Sequence, residues 1–154
     1  MPLTIQIAAA CHCDMVEEIT RQTIAAVYPR YYPAGAVAFF QAHHSRERIR
    51  QDVEAGRVFL AMEGDVPVGT VTIHGNEMGR LFVLPQYQGR GAGRLLMQFA
   101  QERIFQHNDH IELDASLPAK RIYRKLGYQV ISYHIIETEN GDYLCYDRMR
   151  KQKP

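Results

Sequence analysis

Gln88-Gly89-Arg90-Gly91-Ala92-Gly93 puts three glycines in alternate positions just ahead of the apolar run Leu95-Leu96-Met97. A backbone kept this bare presents its amide hydrogens without side chains in the way. At the start of a helix those amides point along the helix dipole and favour an anion. The chemistry suited to such a loop is the holding of a pyrophosphate, and Arg90 and Arg94 stand where they could add positive charge at its rim. Two other phosphate loops do not fit. A P-loop needs a Lys-Ser/Thr pair after its second glycine, which is missing here, and the dinucleotide pattern G-x-G-x-x-G fails because Arg94 and Leu96 stand three residues after Gly91 and Gly93. What remains is the pattern Q-x-x-G-x-G between a strand and a helix.

The elements that must position this loop follow from hydrophobic periodicity. Leu3 to Ala9 alternates as a strand, and Met15 to Val27 repeats as a helix that Asp14 could cap. Two prolines break up the aromatic stretch Tyr28 to Ser45 into a loop or broken helix, and Ser45 then opens a helix ending near Gly56. Two strands flank a Gly64-Asp65 turn, Glu77 to Leu84 forms a third, and Gly91 to Gln106 forms the strongest helix. His110 to Ala115 is a short strand, Pro118 to Leu126 a helix opened by proline, and Tyr128 to Met149 a hairpin closed at Asn140-Gly141. The order β, α, α, β, β, β, α, β, α, β, β implies an α/β fold, a mixed sheet with helices on its faces.

Composition narrows the function classes. A chain of 154 residues, 46% apolar, can bury one sizeable core and is expected to form one domain over residues 1–154. Eighteen Lys and Arg against seventeen Asp and Glu leave no sequence-wide field to recruit nucleic acid or an anionic membrane. No apolar run is long enough to span a bilayer, and the N-terminal stretch lacks the basic and long apolar regions of a signal peptide, so the cytoplasm is the expected compartment. Cys11, Cys13 and Cys145 are too few for a disulfide scaffold, and Cys11-His12-Cys13 has no second pair at ligand spacing, so no metal site is expected.

Two stretches carry a family resemblance. Leu81 to Met97, LFVLPQYQGRGAGRLLM, resembles the acetyl-CoA-binding motif of the GNAT superfamily of N-acetyltransferases. Leu113 to Val130, LDASLPAKRIYRKLGYQV, resembles its second signature, and the order of elements agrees across nearly the whole chain. The resemblance implies a mostly antiparallel seven-stranded sheet with a splayed central parallel pair. It implies acetyl-CoA as co-substrate, with the backbone of Leu81, Phe82 and Val83 against the pantetheine arm and Gln88, Gly89, Arg90, Gly91, Ala92, Gly93 and Arg94 around the pyrophosphate. Pro85 cannot donate to a ladder, which suits a strand that diverges there.

The expected reaction is attack of a primary amine on the thioester, which requires a neutral amine, a stabilised oxyanion and a proton for the departing thiolate. For a lysine-like amine, deprotonation at neutral pH costs roughly 4–5 kcal/mol, whereas an arylamine arrives neutral. By resemblance Tyr123 donates the proton to the thiolate, and Ser116 stands where the family commonly has Asn against the pantetheine arm. Glu77 lies eleven residues before Gln88, where some family members place a catalytic glutamate. Period two would put it on one strand face with Gly79, Leu81 and Val83, beside an apolar cleft that raises a carboxylate's affinity for protons. His74 is a weaker candidate for the same role. The aromatic stretch Tyr28 to Phe40 borders the acceptor side in many relatives, but nothing in it fixes the acceptor. A homodimer stays open, as does the alternative of a non-catalytic domain that senses acyl-CoA or binds a partner.

Overall fold

The computed structural model describes residues 2–154. In chain order its elements are β1 (Leu3–Ile7), α1 (Cys13–Val27), α2 (Ala34–His43), α3 (Arg46–Glu54), β2 (Val58–Glu63), β3 (Val66–His74), β4 (Glu77–Val83), α4 (Ala92–Phe105), β5 (His110–Ala115), α5 (Leu117–Lys125), β6 (Gln129–Glu137) and β7 (Tyr143–Gln152). The strands form a single sheet in the order β1-β2-β3-β4-β5-β7-β6. Every neighbouring pair is antiparallel except β4 with β5. This is the expected mixed α/β sheet.

Helices cover both faces. On one, Leu96, Met97, Ala100 and Ile104 of α4 and Tyr123 of α5 pack with Val71, Ile111, Leu113 and Met149 of the strands. On the other, Val16, Ile19 and Ile24 of α1 and Ile49 and Val53 of α3 pack with Val58, Leu60 and Leu144. Strand β2 lies between these layers, which is why Val58 to Met62 is apolar without alternation and buried throughout. Among the described residues no helix is long and apolar enough to cross a membrane.

Local chemistry accounts for the departures from the sequence reading. Helix α1 begins at Cys13 with His12 as its cap residue, so Asp14 lies inside the first turn, where its charge suits the helix dipole and binds Arg46 at 2.6 Å. The aromatic stretch contains the full helix α2 because Pro29 is the second residue of a short 3-10 turn, Tyr28–Arg30, and Pro33 stands at the cap position. Neither proline therefore removes an amide that the helix needs. Ser45 does cap α3, its Oγ accepting from the Arg48 amide at 3.3 Å.

The feature that shapes the site is a bulge in β4. The register against β3 shifts between Thr72–Gly79 and Thr70–Phe82, so Arg80 and Leu81 together face Val71, and Arg80 adopts φ 45°. The expected grouping of Glu77, Gly79, Leu81 and Val83 on one face is therefore wrong. Met78 packs under α4 while Phe82, four residues on, packs under α1 and α2, although residues four apart in a regular strand share a face. The extra residue flips the strand, so Glu77 and Gly79 share their face with Phe82, and Leu81 and Val83 turn to the α4 side. Strand β4 meets β5 through only one register pair, Glu77–Glu112, and past that first residue of β4 the ladder between the two strands is not continued.

Candidate active site

The gap between β4 and β5 opens two clefts. The larger, about 930 Å³, runs from the glycine loop and the start of α4 along Leu81, Phe82 and Val83 to α5. The other, about 640 Å³, lies on the face of the sheet occupied by α2 and α3. The two share Tyr28, Leu81, Phe82, Ser116, Ala119 and Tyr123, so a group bound in one meets a group bound in the other at these residues.

The loop has the form that a pyrophosphate needs. Gly89 and Gly91 have φ 79° and 92°, and a Cβ at either would meet no protein atom within 4 Å. Gly93 has no such backbone demand, and a Cβ there would make only an ordinary contact with Val83 at 3.7 Å, so the fold itself would tolerate alanine at that position. Among the described residues the amides of Gly89, Gly91, Ala92, Gly93 and Arg94 donate to no backbone carbonyl, whereas Leu95 donates to Gly91. Arg94 lines the large cleft and Lys125 of α5 joins it, a cation with no motif in the sequence to single it out. Arg90 instead turns toward Glu63, at 3.4 Å, and its guanidinium lies over the Tyr87 ring. The side chain of Gln88 donates to the Val83 carbonyl at 3.0 Å, which takes up part of that oxygen's capacity for a ligand, while the single hydroxyl hydrogen of Thr23 nearby goes to the Ile19 carbonyl at 2.7 Å.

Tyr123 is buried edge-on against Tyr128, with ring centroids 5.5 Å apart. Its hydroxyl has no hydrogen-bond partner among the described residues, yet it is not sealed off, because the side chain lines both clefts. Burial, with Tyr28 and Tyr128 adding to it, raises the Tyr123 phenol above the ordinary tyrosine range, so it is a neutral donor. Ser116 is the cap residue of α5, but its hydroxyl caps nothing. Its Oγ accepts from the Tyr28 hydroxyl at 3.4 Å, leaving both polar groups at the junction. The capping is done from elsewhere, since Tyr32 accepts from the Leu117 amide at 2.7 Å and donates to the Cys145 carbonyl at 3.2 Å.

Glu77 lines the smaller cleft with His74, its register partner on β3. It does not lie against an apolar wall as expected. Its carboxylate receives Arg148 of β7, and about half of its side chain is exposed. Burial works against the Arg148 charge, but the hydrogen bonds it donates to Glu77, Asp114 and Glu112 outweigh it and lift that guanidinium above its usual range.

The family described as an acetyltransferase (GNAT) domain matches residues 21–152. The chain belongs to the GNAT acetyltransferases. Relatives are distant in sequence. The uncharacterized N-acetyltransferase YafP of Escherichia coli is 25% identical over 111 residues, covering 72% of this chain and 70% of its own. The GCN5-related N-acetyltransferase of Rhodopseudomonas palustris shares the fold with TM-score 0.89 at 20% identity, covering 99% of this chain and 97% of the other. The PaiA N-acetyltransferase of Thermoplasma acidophilum, solved with coenzyme A, shares it with TM-score 0.75 at 17% identity, covering 99% of this chain and all of the other. The co-substrate of this GNAT acetyltransferase is acetyl-CoA, and the glycine loop fits it, with unpartnered amides and open space where side chains would stand.

Arg80 holds the bulge of this GNAT domain in place. A left-handed backbone costs a residue with a Cβ about 1–2 kcal/mol. The Arg80 guanidinium, 7% exposed, reaches Asp52 of α3 at 3.0 Å, Thr72 Oγ1 at 3.1 Å and His44 Nδ1 at 3.3 Å. A charged residue inside the apolar strand run was the signal that sequence reading passed over. His44 is also locked, its ring edge-on to Phe82 at 5.7 Å. Burial, with Arg80, His43 and Arg48 nearby, lowers it to about 3 from an ordinary 6.5. The unfolded chain therefore takes up a proton below pH 6.5 that the folded one refuses, and stability is lost as pH falls toward 3. Between pH 7.5 and 5 His44 should cost about 2 kcal/mol. His44→Asn, which keeps an acceptor for Arg80 but cannot be protonated, should remove most of the difference between urea midpoints measured at the two pH values. An undiminished difference would assign the acid sensitivity to other groups.

Proposed function

We propose that this GNAT acetyltransferase transfers the acetyl group of acetyl-CoA directly to a primary amine. The observation that carries the reading is the meeting of the two clefts at Tyr28, Ser116 and Tyr123, the first lined by a phosphate-binding loop and the second by Glu77. The pyrophosphate lies on the free amides between Gly89 and Arg94, and the pantetheine arm runs along Leu81 and Phe82 in the gap left by β5. The amine enters from the smaller cleft. Its nitrogen bonds to the thioester carbon, the carbon–sulfur bond breaks, and the thiolate leaves beside the Tyr123 hydroxyl. The proton lost from the amine passes to Glu77, directly or through a water.

A primary-amine library read by free thiol release from acetyl-CoA tests this, with at least one acceptor turning over faster as pH rises through the ionisation of the amine or its base. Glu77→Gln keeps an oxygen for Arg148 but cannot take a proton. It should lower kcat/KM at neutral pH by about a hundredfold for strongly basic amines and by less than about fivefold for arylamines, which need no deprotonation. Equal losses for the two classes would remove Glu77 as base. Tight acetyl-CoA binding with no acceptor across the library would favour an acyl-CoA sensor instead.

A further inference from the structure

The smaller cleft is electrically two-sided. Along its α3 wall stand Arg48, Arg57 and Arg80 with a single carboxylate, Asp52. Asp52 is shared between Arg57 at 3.4 Å and Arg80 at 3.0 Å. Arg48 has no carboxylate partner among the described residues, only the His43 ring at 3.3 Å, although its neighbours on α3 are both paired, Arg46 to Asp14 and Arg50 to Glu47. The floor has the opposite balance. There Glu77 and Asp114 line the cleft with Arg148, and Glu112 behind them binds both Arg148 and Arg150, giving three carboxylates to two guanidiniums.

We propose that the acceptor is a free amino acid, bound with its ammonium group over the Glu77–Asp114 floor and its carboxylate on Arg48 of the α3 wall. The assignment rests on the acetyl-transfer reading and names its substrate class. An amine alone would use the floor and leave the surplus cations of the wall unanswered. A carboxylate on the same small molecule satisfies Arg48 in the two-pronged way that a guanidinium favours and fixes which end of the acceptor faces the thioester. Tyr28, Phe39 and Phe40 line the same cleft and supply apolar surface for the amino acid's side chain. Arg48 is exposed, so its contribution depends on salt.

The test compares the standard amino acids with their amides and decarboxylated amines as acceptors, using thiol release from saturating acetyl-CoA at low ionic strength. The best free amino acid should exceed its amide and its amine by at least about tenfold in kcat/KM, the usual worth of a charge-assisted contact. That ratio should shrink as salt is raised, and Arg48→Gln should bring it close to one. A merely structural role for Arg48 would lower all three acceptors together and leave the ratio intact, which would overturn the assignment. Amides or amines used as well as the acids would overturn it too, while leaving acetyl transfer standing. Acetyl-CoA that binds but releases no thiol with any acceptor would overturn the transfer reading and this proposal with it.

Discussion

Gly91→Glu should raise the dissociation constant for acetyl-CoA at least a hundredfold, measured by calorimetric titration, while Gly91→Ala raises it only several-fold. Both variants put a Cβ on a backbone at φ 92°, with no protein atom within 4 Å to clash. The strain is therefore common to the two and costs about 1–2 kcal/mol, a shift of a few degrees in Tm for a chain of this size. They differ in charge. Glutamate sets an anion on the amides of Ala92, Gly93 and Arg94, where a pyrophosphate would otherwise accept. By itself an acidic group at a helix start stabilises the helix by about 0.3–1 kcal/mol, so Gly91→Glu should be no less stable than Gly91→Ala. A binding loss confined to the glutamate variant is thus competition for the anion site and not unfolding. Equal affinities in the two variants would move the phosphates away from this loop.

The loop was legible because its signal is local. Alternate glycines before an apolar helical run say what the backbone must do, and Gly89 and Gly91 do adopt left-handed angles at the start of α4. The strands were legible for the same reason, since alternation and the Gly64-Asp65 and Asn140-Gly141 turns act over a few residues. What escaped was non-local. One inserted residue at Arg80 reverses every side chain after it, and period two cannot detect that without the register against β3. Glu77 was singled out by its distance from Gln88, but its surroundings were not legible, because Arg148 lies 71 positions away and reaches it through the pairing of β7 with β5. Tyr28 looked like one more aromatic in a crowded stretch, and only the folded chain brings its hydroxyl to Ser116.

Tyr123→Phe should lower kcat by roughly ten- to a hundredfold with the KM for acetyl-CoA nearly unchanged. The hydroxyl has no partner among the described residues, so removing it orphans no other group, and the ring keeps its packing against Tyr128. The size of the loss follows from the direction in which burial shifts the phenol. A phenol made a weaker acid than in water transfers its proton to a thiolate only uphill, at about 1.4 kcal/mol per unit of mismatch. What it gives readily is a hydrogen bond to the charge growing on sulfur, worth about 1.5–3 kcal/mol, which is the stated range of rate loss. A loss of a thousandfold or more would instead mean complete proton transfer. The pH profile separates a donor from a base. A donor is active while protonated, and burial keeps Tyr123 protonated beyond its ordinary range, so the wild-type protein and the variant should give parallel profiles from pH 6 to 9.5. A variant that lost only its alkaline activity would make Tyr123 a base. One that lost none would leave it as packing between α5 and the sheet, and the proton for the thiolate would have to come from Tyr28, Ser116 or water at the same junction.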